Sequence, residues 1–500
     1  MVAPTAKNTI QPQTLAQAPA SQEDRERCIR INEAWQAYHG ELQRPLKVSA
    51  DQPDDNVRTN RCSPIVDKGV SFLFGNVLKI EDGETDDEGP GDNQDFIDGL
   101  WGGYDDARMT LLSRAAINGG VCGQVFYKIV PPQGQMKYPR IVVMNPAIIR
   151  VVTAPDDCDT VLAFIIEYPG SVDLQRRQII ARIDPDGLAS VAGEYDVDDT
   201  WTITDYVRKG QAGAWIQCGE QQEWPYPFPP IFCNQNLPNP NEFWGRPDLT
   251  NDIVEMNRVL NFIQSNISRI VKYHGHPITF ATGVGASQIH IGVDDLICLP
   301  SPESKLEKLQ AMSEFAGLLS IVEDLRSSMD EQSRVPAVAL GRLAELPKGN
   351  ISGVALQLLF QPLIEKTIQK QRLYGEAIRD VTRAAMVVAG IISLEEYEDY
   401  PVTLHWANLL PIDDLAAAQT ALIYQQIGVS NSTIMQQLGF DPDAESEKSI
   451  AEDARKLKAY QQGIGLPPAA AGSSSIPPVP PAAQPDTTQA SQGNTAPVRA

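Results

Sequence analysis

The sequence predicts an α+β protein built from several structural units. Its 500 residues exceed what one hydrophobic core usually holds, so two to four units are expected. Short strand patterns cluster between residues 125 and 218, with turn residues such as Pro131 and Pro132 between them, which indicates an antiparallel sheet. Helical patterns precede and follow this region. Such a segregation of strands and helices is typical of the α+β class.

The first part of the chain predicts a flexible arm and then helices. Residues 1–21 are rich in Gln, Ala and Pro and are expected to be flexible. A helix from Gln22 to Gln43 follows, with Ser21 as N-cap. Its expected apolar stripe contains Ile29, Ile31, Trp35 and Leu42. A more apolar helix ends at Gly75 and contains Ile65, Val66, Val70, Phe72, Leu73 and Phe74.

An acidic stretch separates these helices from the next one. From Glu81 to Asp106 there are eleven acids and no Lys or Arg. A solvated loop or sheet edge is expected here. A cation site is the less favoured alternative, because the acids lack the fixed spacing of a calcium loop. The helix that follows is predicted from Ala107 to Gly120, closed by Gly119 and Gly120.

The strand patterns then predict the antiparallel sheet. Their expected bounds are 125–130, 141–144, 148–153, 161–168, 177–183, 189–195, 200–207 and 214–218.

Two later helices share a heptad-like apolar seam. The first is predicted from Asp248 to Tyr273 and the second from Ser313 to Ser333, and in both the seam residues are spaced three and four apart. The opposite face of the first helix is polar. Between the two lies a β-prone excursion, so the economical geometry is two antiparallel helices with a small αβ lobe at their far end. The seam consists of Ile253, Met256, Leu260, Ile263, Ile267, Ile270, Phe315, Leu318, Val322, Leu325 and Met329.

The C-terminal part predicts a loop, a long helix and shorter helices. Pro and Gly punctuate residues 336–352, and a helix to Ala389 follows, with a possible kink at Pro362. A strand is expected over 401–406. Helices are expected over 413–428, 432–438 and 445–462, and the Pro/Ala/Ser-rich tail 466–500 is expected to be disordered.

Composition excludes several functional classes. The net charge of −23 argues against a protein that grips nucleic acid over its whole surface, but not against one that lies near DNA without holding it. Seven cysteines stand singly with no CxxC pair, which disfavours a disulfide framework or zinc site and fits a reducing cytosol. The N-terminus lacks the order of a signal peptide, and no apolar run is long enough to span a membrane.

Catalytic motifs are missing from the sequence. There is no phosphate-binding GxxxxGK[ST] loop, no HExxH, no GxSxG and no kinase signature set. The five histidines are dispersed, and the pair His274 and His276 is only a weak chelation candidate. We therefore expect no enzyme, no catalytic residue, no metal and no cofactor. A nucleic-acid-processing enzyme remains an alternative, as does a scaffold or adaptor protein.

Several phrases, in this order, resemble the portal (head-to-tail connector) proteins of tailed bacteriophages. No phrase is a catalytic motif, and the specificity comes from their order over about residues 25–460. The phrases are Asn60 to Gly75 (NRCSPIVDKGVSFLFG), Leu111 to Tyr127 (LLSRAAINGGVCGQVFY), Asp252 to Asn266 (DIVEMNRVLNFIQSN), Gly349 to Leu359 (GNISGVALQLL), Trp406 to Pro411 (WANLLP) and Gly428 to Glu447.

The resemblance implies a portal-type α+β architecture. It has an αβ wing, two antiparallel stem helices, a small αβ clip, a tunnel loop with a long helix, and a helical crown. The implied bounds are an N-terminal arm over 1–21, wing 22–250, stem helix 251–275, clip 276–312, stem helix 313–335, tunnel loop 336–352, long helix and wing return 353–411, crown 412–465 and tail 466–500.

The resemblance also implies function and partners. The expected protein is a ring-shaped homo-oligomer, usually a dodecamer, at one capsid vertex of the virion, assembled in the host cytoplasm. Double-stranded DNA would pass transiently through its channel during packaging and ejection. Its other expected partners are the terminase large subunit, the head-completion or tail adaptor protein, the major capsid protein and a scaffold protein, with no membrane.

Two sets of candidate site residues follow from this resemblance. Sparse basic residues are expected to face the channel, although a salt bridge between subunits or a solvent-facing charge is an equal alternative for each. These channel candidates are Arg342, Lys348, Arg258, Arg269 and Lys272. The candidates for binding terminase or adaptor are the clip residues Ile289, Ile291, Asp294, Asp295, Leu296 and Glu303.

Overall fold

The helices and strands of this computed structural model form two compact units, Met1–Pro411 and Ile412–Ala500. The structure describes residues 12–48, 54–83, 93–103, 105–134, 137–154, 157–171, 174–183, 200–210, 213–275, 279–282, 305–308, 315–342, 353–409, 421–437, 449–450 and 455. Both helices and strands are present in quantity, so the α+β class is confirmed.

Helices dominate the two ends of the first unit and strands its middle. The helices are α1 (Pro12–Gln17), α2 (Gln22–His39), α3 (Cys62–Phe74), α4 (Gln94–Leu100), α5 (Asp105–Cys122), α6 (Asn251–Gly275), α7 (Phe315–Ser333) and α8 (Gly353–Ala389), and the second unit contains α9 (Asn431–Gln437). The strands are β1 (Lys79–Asp82), β2 (Gln124–Val130), β3 (Arg140–Met144), β4 (Ile149–Thr153), β5 (Val161–Ser171), β6 (Leu174–Ile183), β7 (Thr200–Lys209), β8 (Ile216–Gln217), β9 (Gln222–Trp224), β10 (Ile231–Gln235), β11 (Thr279–Thr282), β12 (Lys305–Lys308) and β13 (Val402–His405).

The strands pair antiparallel, as the turn pattern predicts. The largest sheet has the order β4-β5-β6-β7-β8, with β9 also on β7. A three-stranded sheet has the order β10-β2-β3, while β1 pairs with β13 and β11 with β12. The strand predicted over 189–195 lies outside the described residues.

The main core lies where α3, α5, β2 and α8 pack together. Ile65, Leu112, Phe126, Tyr374 and Ile378 are fully buried in it. The β5 residues Phe164 and Ile166 point into this core, whereas their neighbours Ala163 and Ile165 point to the other face of the sheet, as alternation in a strand requires.

The other face of the large sheet is covered by α1, which corrects the expectation of a flexible arm. Ala16 is fully buried against Ala163 and Ile179. Gln17 Nε2 donates to the Trp215 carbonyl at 2.8 Å, and the guanidinium of Arg177 donates to the Ala16 carbonyl at 2.5 Å. The predicted flexibility is therefore wrong for Pro12–Gln17, because apolar contacts and these two hydrogen bonds hold the helix on the sheet.

Local capping explains where α2 begins and ends. Ser21 accepts a hydrogen bond from the Asp24 N–H, as predicted for an N-cap. The helix ends at His39 and not at Gln43, because Gly40 adopts a left-handed conformation with φ of 73°. Ile31 is buried, but Ile29 is exposed, so its placement on the apolar stripe is wrong.

The glycines predicted to end the next helix lie inside it. α5 continues through Gly119 and Gly120 to Cys122, and Gly123 with φ of 86° ends it. An added Cβ on Gly119 would lie 2.0 Å from the Tyr374 hydroxyl. Gly119 therefore permits the close approach of Tyr374 on α8, Gly120 permits the close approach of Val66 on α3, and neither forms a turn.

The acidic stretch is only partly a solvated loop. β1 and α4 lie within it, and Asp82 is buried, where it accepts a hydrogen bond from the Tyr400 hydroxyl at 2.7 Å. Residues 84–92 lie outside the described part, as do 1–11, the tail 466–500 and most of the helix predicted over 445–462.

Candidate functional site

The helices α6 and α7 pack together along the predicted seam. Ile253 and Leu260 on α6 are fully buried, and so is Met329 on α7. Val322 is also buried, while the side chain of Phe315 lies outside the described residues. The remaining seam residues are partly buried: Met256, Ile263, Ile267, Ile270, Leu318 and Leu325.

One arginine shows that these helices run antiparallel. The backbone N–H of Arg61 donates to Asn257 near the start of α6, and its guanidinium donates to Asp330 near the end of α7 at 2.8 Å. The start of one helix therefore lies beside the end of the other. The predicted antiparallel pairing agrees with this contact.

The polar face of α6 is covered by residues 54–61, which we call the strap. Val57 N–H donates to Ser265 Oγ at 3.0 Å, and Thr59 N–H donates to Asn261 Oδ1 at 2.8 Å. Asn257, Asn261 and Ser265 are all buried beneath the strap. These three side chains are therefore covered within the chain and face neither solvent nor a channel. A polar helical face can equally be buried when its side chains satisfy the backbone of an extended segment.

The channel candidates on α6 lie in ion pairs within the chain. Arg269 donates to Asp55 of the strap at 2.9 Å, and these hydrogen bonds lower the pKa of Asp55. Lys272 lies 3.9 Å from the same carboxylate and is 57% exposed on its side chain. Arg258 pairs with Glu255 and lies 3.7 Å from Glu33. Whether these residues face DNA stays a prediction.

Arg342 lies in a second ion-pair cluster at the end of α7. Its guanidinium contacts Asp330, which is only 7% exposed on its side chain, and lies 3.7 Å from Glu323. Asp330 therefore binds Arg61 and Arg342 together. A short 3₁₀ turn, Ala337–Leu340, connects α7 to Arg342. Lys348 lies outside the described residues.

A buried charge cluster joins α8 to the entry of α6. Asp248 is fully buried, and its two carboxylate oxygens accept from Lys366 at 2.8 Å and from Lys370 at 2.6 Å. Lys366 also donates to the Ser333 carbonyl at 2.9 Å. This cluster was not predicted from the sequence. The signal was the pair of lysines one turn apart on α8, on the same helical face as the buried residues Leu363 and Tyr374.

The environment of the cluster shifts its pKa values. Burial alone would raise the pKa of Asp248, but the two ammonium groups outweigh it and lower that pKa to about 2. Burial lowers the pKa of Lys370 to about 8. The Asp248 carboxylate opposes this shift only in part, because it is shared with the Lys366 ammonium, which itself lowers the pKa of Lys370. The cluster thus consists of one ionised carboxylate that is shared by two ammonium groups.

The clip candidates lie outside the described residues. These are Ile289, Ile291, Asp294, Asp295, Leu296 and Glu303. What the structure describes between α6 and α7 is the antiparallel pair of β11 and β12.

One turn contains a cluster of possible metal ligands. Within the described residues, Asp157, Cys158 and Asp159 lie close enough to share an ion. Asp157 instead accepts from the Thr160 hydroxyl at 2.5 Å and from the Asp159 N–H at 3.0 Å, which stabilises the local turn. Among the described residues, no helix has the length and apolar composition of a membrane span.

Comparison with known families bears on the region that contains α7 and α8. Residues 299–460 match the family model described as phage portal protein, SPP1 Gp6-like. This match confirms the resemblance to phage portal proteins. That family is a structural, non-enzymatic component of phage particles. No curated protein matches the chain.

Proposed function

We propose that this chain forms a phage portal: a ring at one capsid vertex through which double-stranded DNA is packaged and later ejected. The family match over residues 299–460 carries the proposal. It covers α7, the 3₁₀ turn, α8 and β13, which are the elements that would correspond to a stem helix, tunnel-loop base, long helix and wing return. The wing, clip and crown bounds predicted from the sequence belong to the same proposal.

Exposed apolar side chains support self-association. Val259 and Phe262 on α6 are 45% and 47% exposed, and Leu319 on α7 is 54% exposed. Val259 and Phe262 are three residues apart and share one face of α6, and exposed apolar surface of this kind is typical of an interaction site. In a ring, neighbouring copies would cover these side chains on every subunit, since a head-to-tail contact uses two different faces.

The ion pairs of the candidate channel residues suit a conduit that binds DNA weakly. Each unpaired Lys or Arg on phosphate adds affinity by counterion release, and a ring would multiply that effect by its subunit number. Arg258, Arg269 and Arg342 are instead partnered by acids of the same chain. Their residual field is screened over ~8 Å at physiological salt. Such a wall would let the duplex slide.

Assembly is tested by the mass of the purified full-length protein in native mass spectrometry. A closed homo-oligomer of twelve copies is expected. Phe262→Asp should reduce the assembled fraction, whereas Ile216→Asp, the same kind of change at an exposed apolar residue on β8, should not. A stable monomer or dimer of the unchanged protein would instead favour a non-portal scaffold or adaptor, and turnover of a nucleic-acid substrate would favour an enzyme.

Partner docking is a separate step of the proposal. We place the surface for the terminase large subunit and the adaptor protein in the clip, where Asp294 and Asp295 supply charge. Deleting residues 276–309 should abolish terminase binding, and Asp294→Lys with Asp295→Lys should weaken it. Glu220→Lys, an exposed site near β9, serves as control. Unchanged terminase affinity after the deletion would refute this placement.

A further inference from the structure

The end of α7 and the turn after it form a tightly bonded element, residues 330–342, which we call the joint. Val335 N–H donates to the Asp330 carbonyl at 3.1 Å, and Arg342 N–H donates to the Ala337 carbonyl at 3.0 Å. The side chain of Asp330 binds Arg61 and Arg342. The joint therefore connects α7 to the sequence that leads into α8.

Lys366 holds the joint from α8. Its ammonium donates to the Ser333 carbonyl, which is the last residue of α7, and its side chain is 3% exposed. The final carbonyls of a helix carry the negative end of the helix dipole and have no intrahelical donor. A buried ammonium at that position satisfies one of these carbonyls and interacts favourably with the dipole.

The charge of the cluster makes this contact more than a single hydrogen bond. Two ammonium groups share the one carboxylate of Asp248 in a fully buried site, which leaves an excess positive charge. A buried charge needs compensation by an opposite charge or by dipoles. The C-terminal end of α7 supplies such a dipole to Lys366. Moving α7 away would leave the excess charge less compensated.

Backbone strain marks the same place. Arg334, directly after Ser333, has a φ of 57°, a left-handed conformation that is costly for a residue with a side chain. Strained residues persist only where the surroundings fix them. Here the Lys366 contact on one side and the Asp330 contacts on the other hold the turn.

From these observations we propose that Lys366 is a positioning residue that seats the joint on α8, so that the end of α7 and the middle of α8 move as one unit. Residues 343–352 lie between the joint and the start of α8 in the sequence, so Lys366 would fix the joint at one of their two ends. That last consequence for a tunnel loop rests on the proposed function; the coupling itself does not require a ring.

The matched variants Lys366→Met and Lys370→Met test the coupling. Both remove one buried lysine from the cluster, but only Lys366 contacts Ser333. Hydrogen exchange of the full-length protein is measured at the Val335 and Arg342 amides and normalised to the Phe126 amide of β2. Lys366→Met should accelerate exchange at the joint ~10-fold or more beyond Lys370→Met, as loss of a buried hydrogen bond would. Equal protection of the joint in the two variants would overturn the proposal.

A measurement on the unchanged protein covers the case in which a variant does not fold. If the joint and α8 open together, the exchange of Val335 and of the α8 amides near Lys370 should rise with the same dependence on denaturant concentration. Exchange of Val335 that is independent of denaturant would mean local fraying and would overturn the proposal. Either result can be obtained whether or not the protein forms rings, so it does not depend on the outcome for the proposed function.

Discussion

Ser265 and Val57 bind each other through both backbone groups of the valine. The Val57 N–H donates to Ser265 Oγ at 3.0 Å, and this hydroxyl donates to the Val57 carbonyl at 3.2 Å. Ser265 thus satisfies Val57 as a neighbouring strand would. Ser265 is fully buried, so its hydroxyl and the two backbone groups of Val57 bond to each other in place of water.

The contact is part of a regular ladder. Alternate strap residues from Asp55 to Arg61 meet α6 residues spaced four apart, in opposite chain directions. Two residues of extended chain cover ~6.6 Å, and four residues of helix cover ~6.0 Å, so the two repeats stay in register over this distance. The register explains why the polar residues of α6 recur every four positions.

Removing one member of the ladder should destabilise the protein. Ser265→Ala leaves the Val57 N–H and carbonyl without their partner, which typically costs about 1–2 kcal/mol of unfolding free energy. Ser268→Ala on the same helix is the control, because Ser268 is only partly buried, and a change within about 0.5 kcal/mol is expected. Urea unfolding of both variants measures the difference. Equal effects would mean that the strap contributes little.

The same geometry recurs at β13. Arg379 Nε donates to the Val402 carbonyl at 3.2 Å and Arg383 Nε to the Tyr400 carbonyl at 2.8 Å, so residues four apart on α8 again meet alternate residues of an extended segment.

The sequence could predict the helices, the antiparallel strands and the buried seam, because these follow from local periodicity. It could not predict the strap, since polar residues at a spacing of four fit both a solvated face and a backbone ladder.

The missed charge cluster illustrates a second limit. Lys366 and Lys370 lie on one face of a helix, but only the fold brings Asp248 to them from more than a hundred residues away. The sequence did not predict the role of Gly119 for the same reason. Glycine is permitted in a turn and at a close helix contact, and only the position of Tyr374 decides between the two.

Alanine substitution of two helical glycines should have opposite effects. Gly119→Ala places a methyl group in the volume of the Tyr374 hydroxyl and should destabilise the fold by about 1–3 kcal/mol. Gly317→Ala in α7 meets nothing within 4 Å and should stabilise by about 0.5 kcal/mol through helix propensity. Thermal unfolding of the pair provides the test. Tolerance of Gly119→Ala would contradict the packing of α8 on α5.

Neutralising the buried carboxylate should be among the most damaging single changes. Asp248→Asn leaves Lys366 and Lys370 buried without a counter-charge, for which a loss of about 3–5 kcal/mol is typical. Asp324→Asn, on the exposed face of α7, is the control and should be nearly neutral. Denaturant unfolding compares the two. A mild effect of Asp248→Asn would mean that the cluster is not fully charged.

Alkaline pH offers a test of Lys370. Its pKa is lowered to about 8 in the fold, so between pH 8 and its unfolded value near 10.5 the unfolded chain binds more protons. Lys370 therefore contributes a stability that rises with pH in this window. Burial raises the pKa of the Cys122 thiol to about 12, so above pH 9 the folded chain keeps a proton that the unfolded chain loses, and this contribution to stability falls with pH. The stability difference between the unchanged protein and Lys370→Met should grow from pH 8 to 10; a constant difference would contradict the lowered pKa.

Relieving the strained turn should stabilise the joint. Arg334→Gly removes the left-handed penalty of about 1 kcal/mol, partly offset by the greater freedom of glycine in the unfolded chain. Arg25→Gly on α2 is the contrast and should cost about 1 kcal/mol, as glycine does in a regular helix. Calorimetry measures the stability of both variants. Destabilisation by Arg334→Gly would show that the Arg334 side chain stabilises the fold by more than the backbone strain costs.

Electron cryomicroscopy of the purified full-length protein tests the portal proposal most directly. The expected particle is a closed ring with a through-channel wide enough for a DNA duplex, with the exposed faces of α6 and α7 covered by neighbouring copies. Separate particles of one or two chains, or a closed assembly without an axial channel, would contradict the proposal.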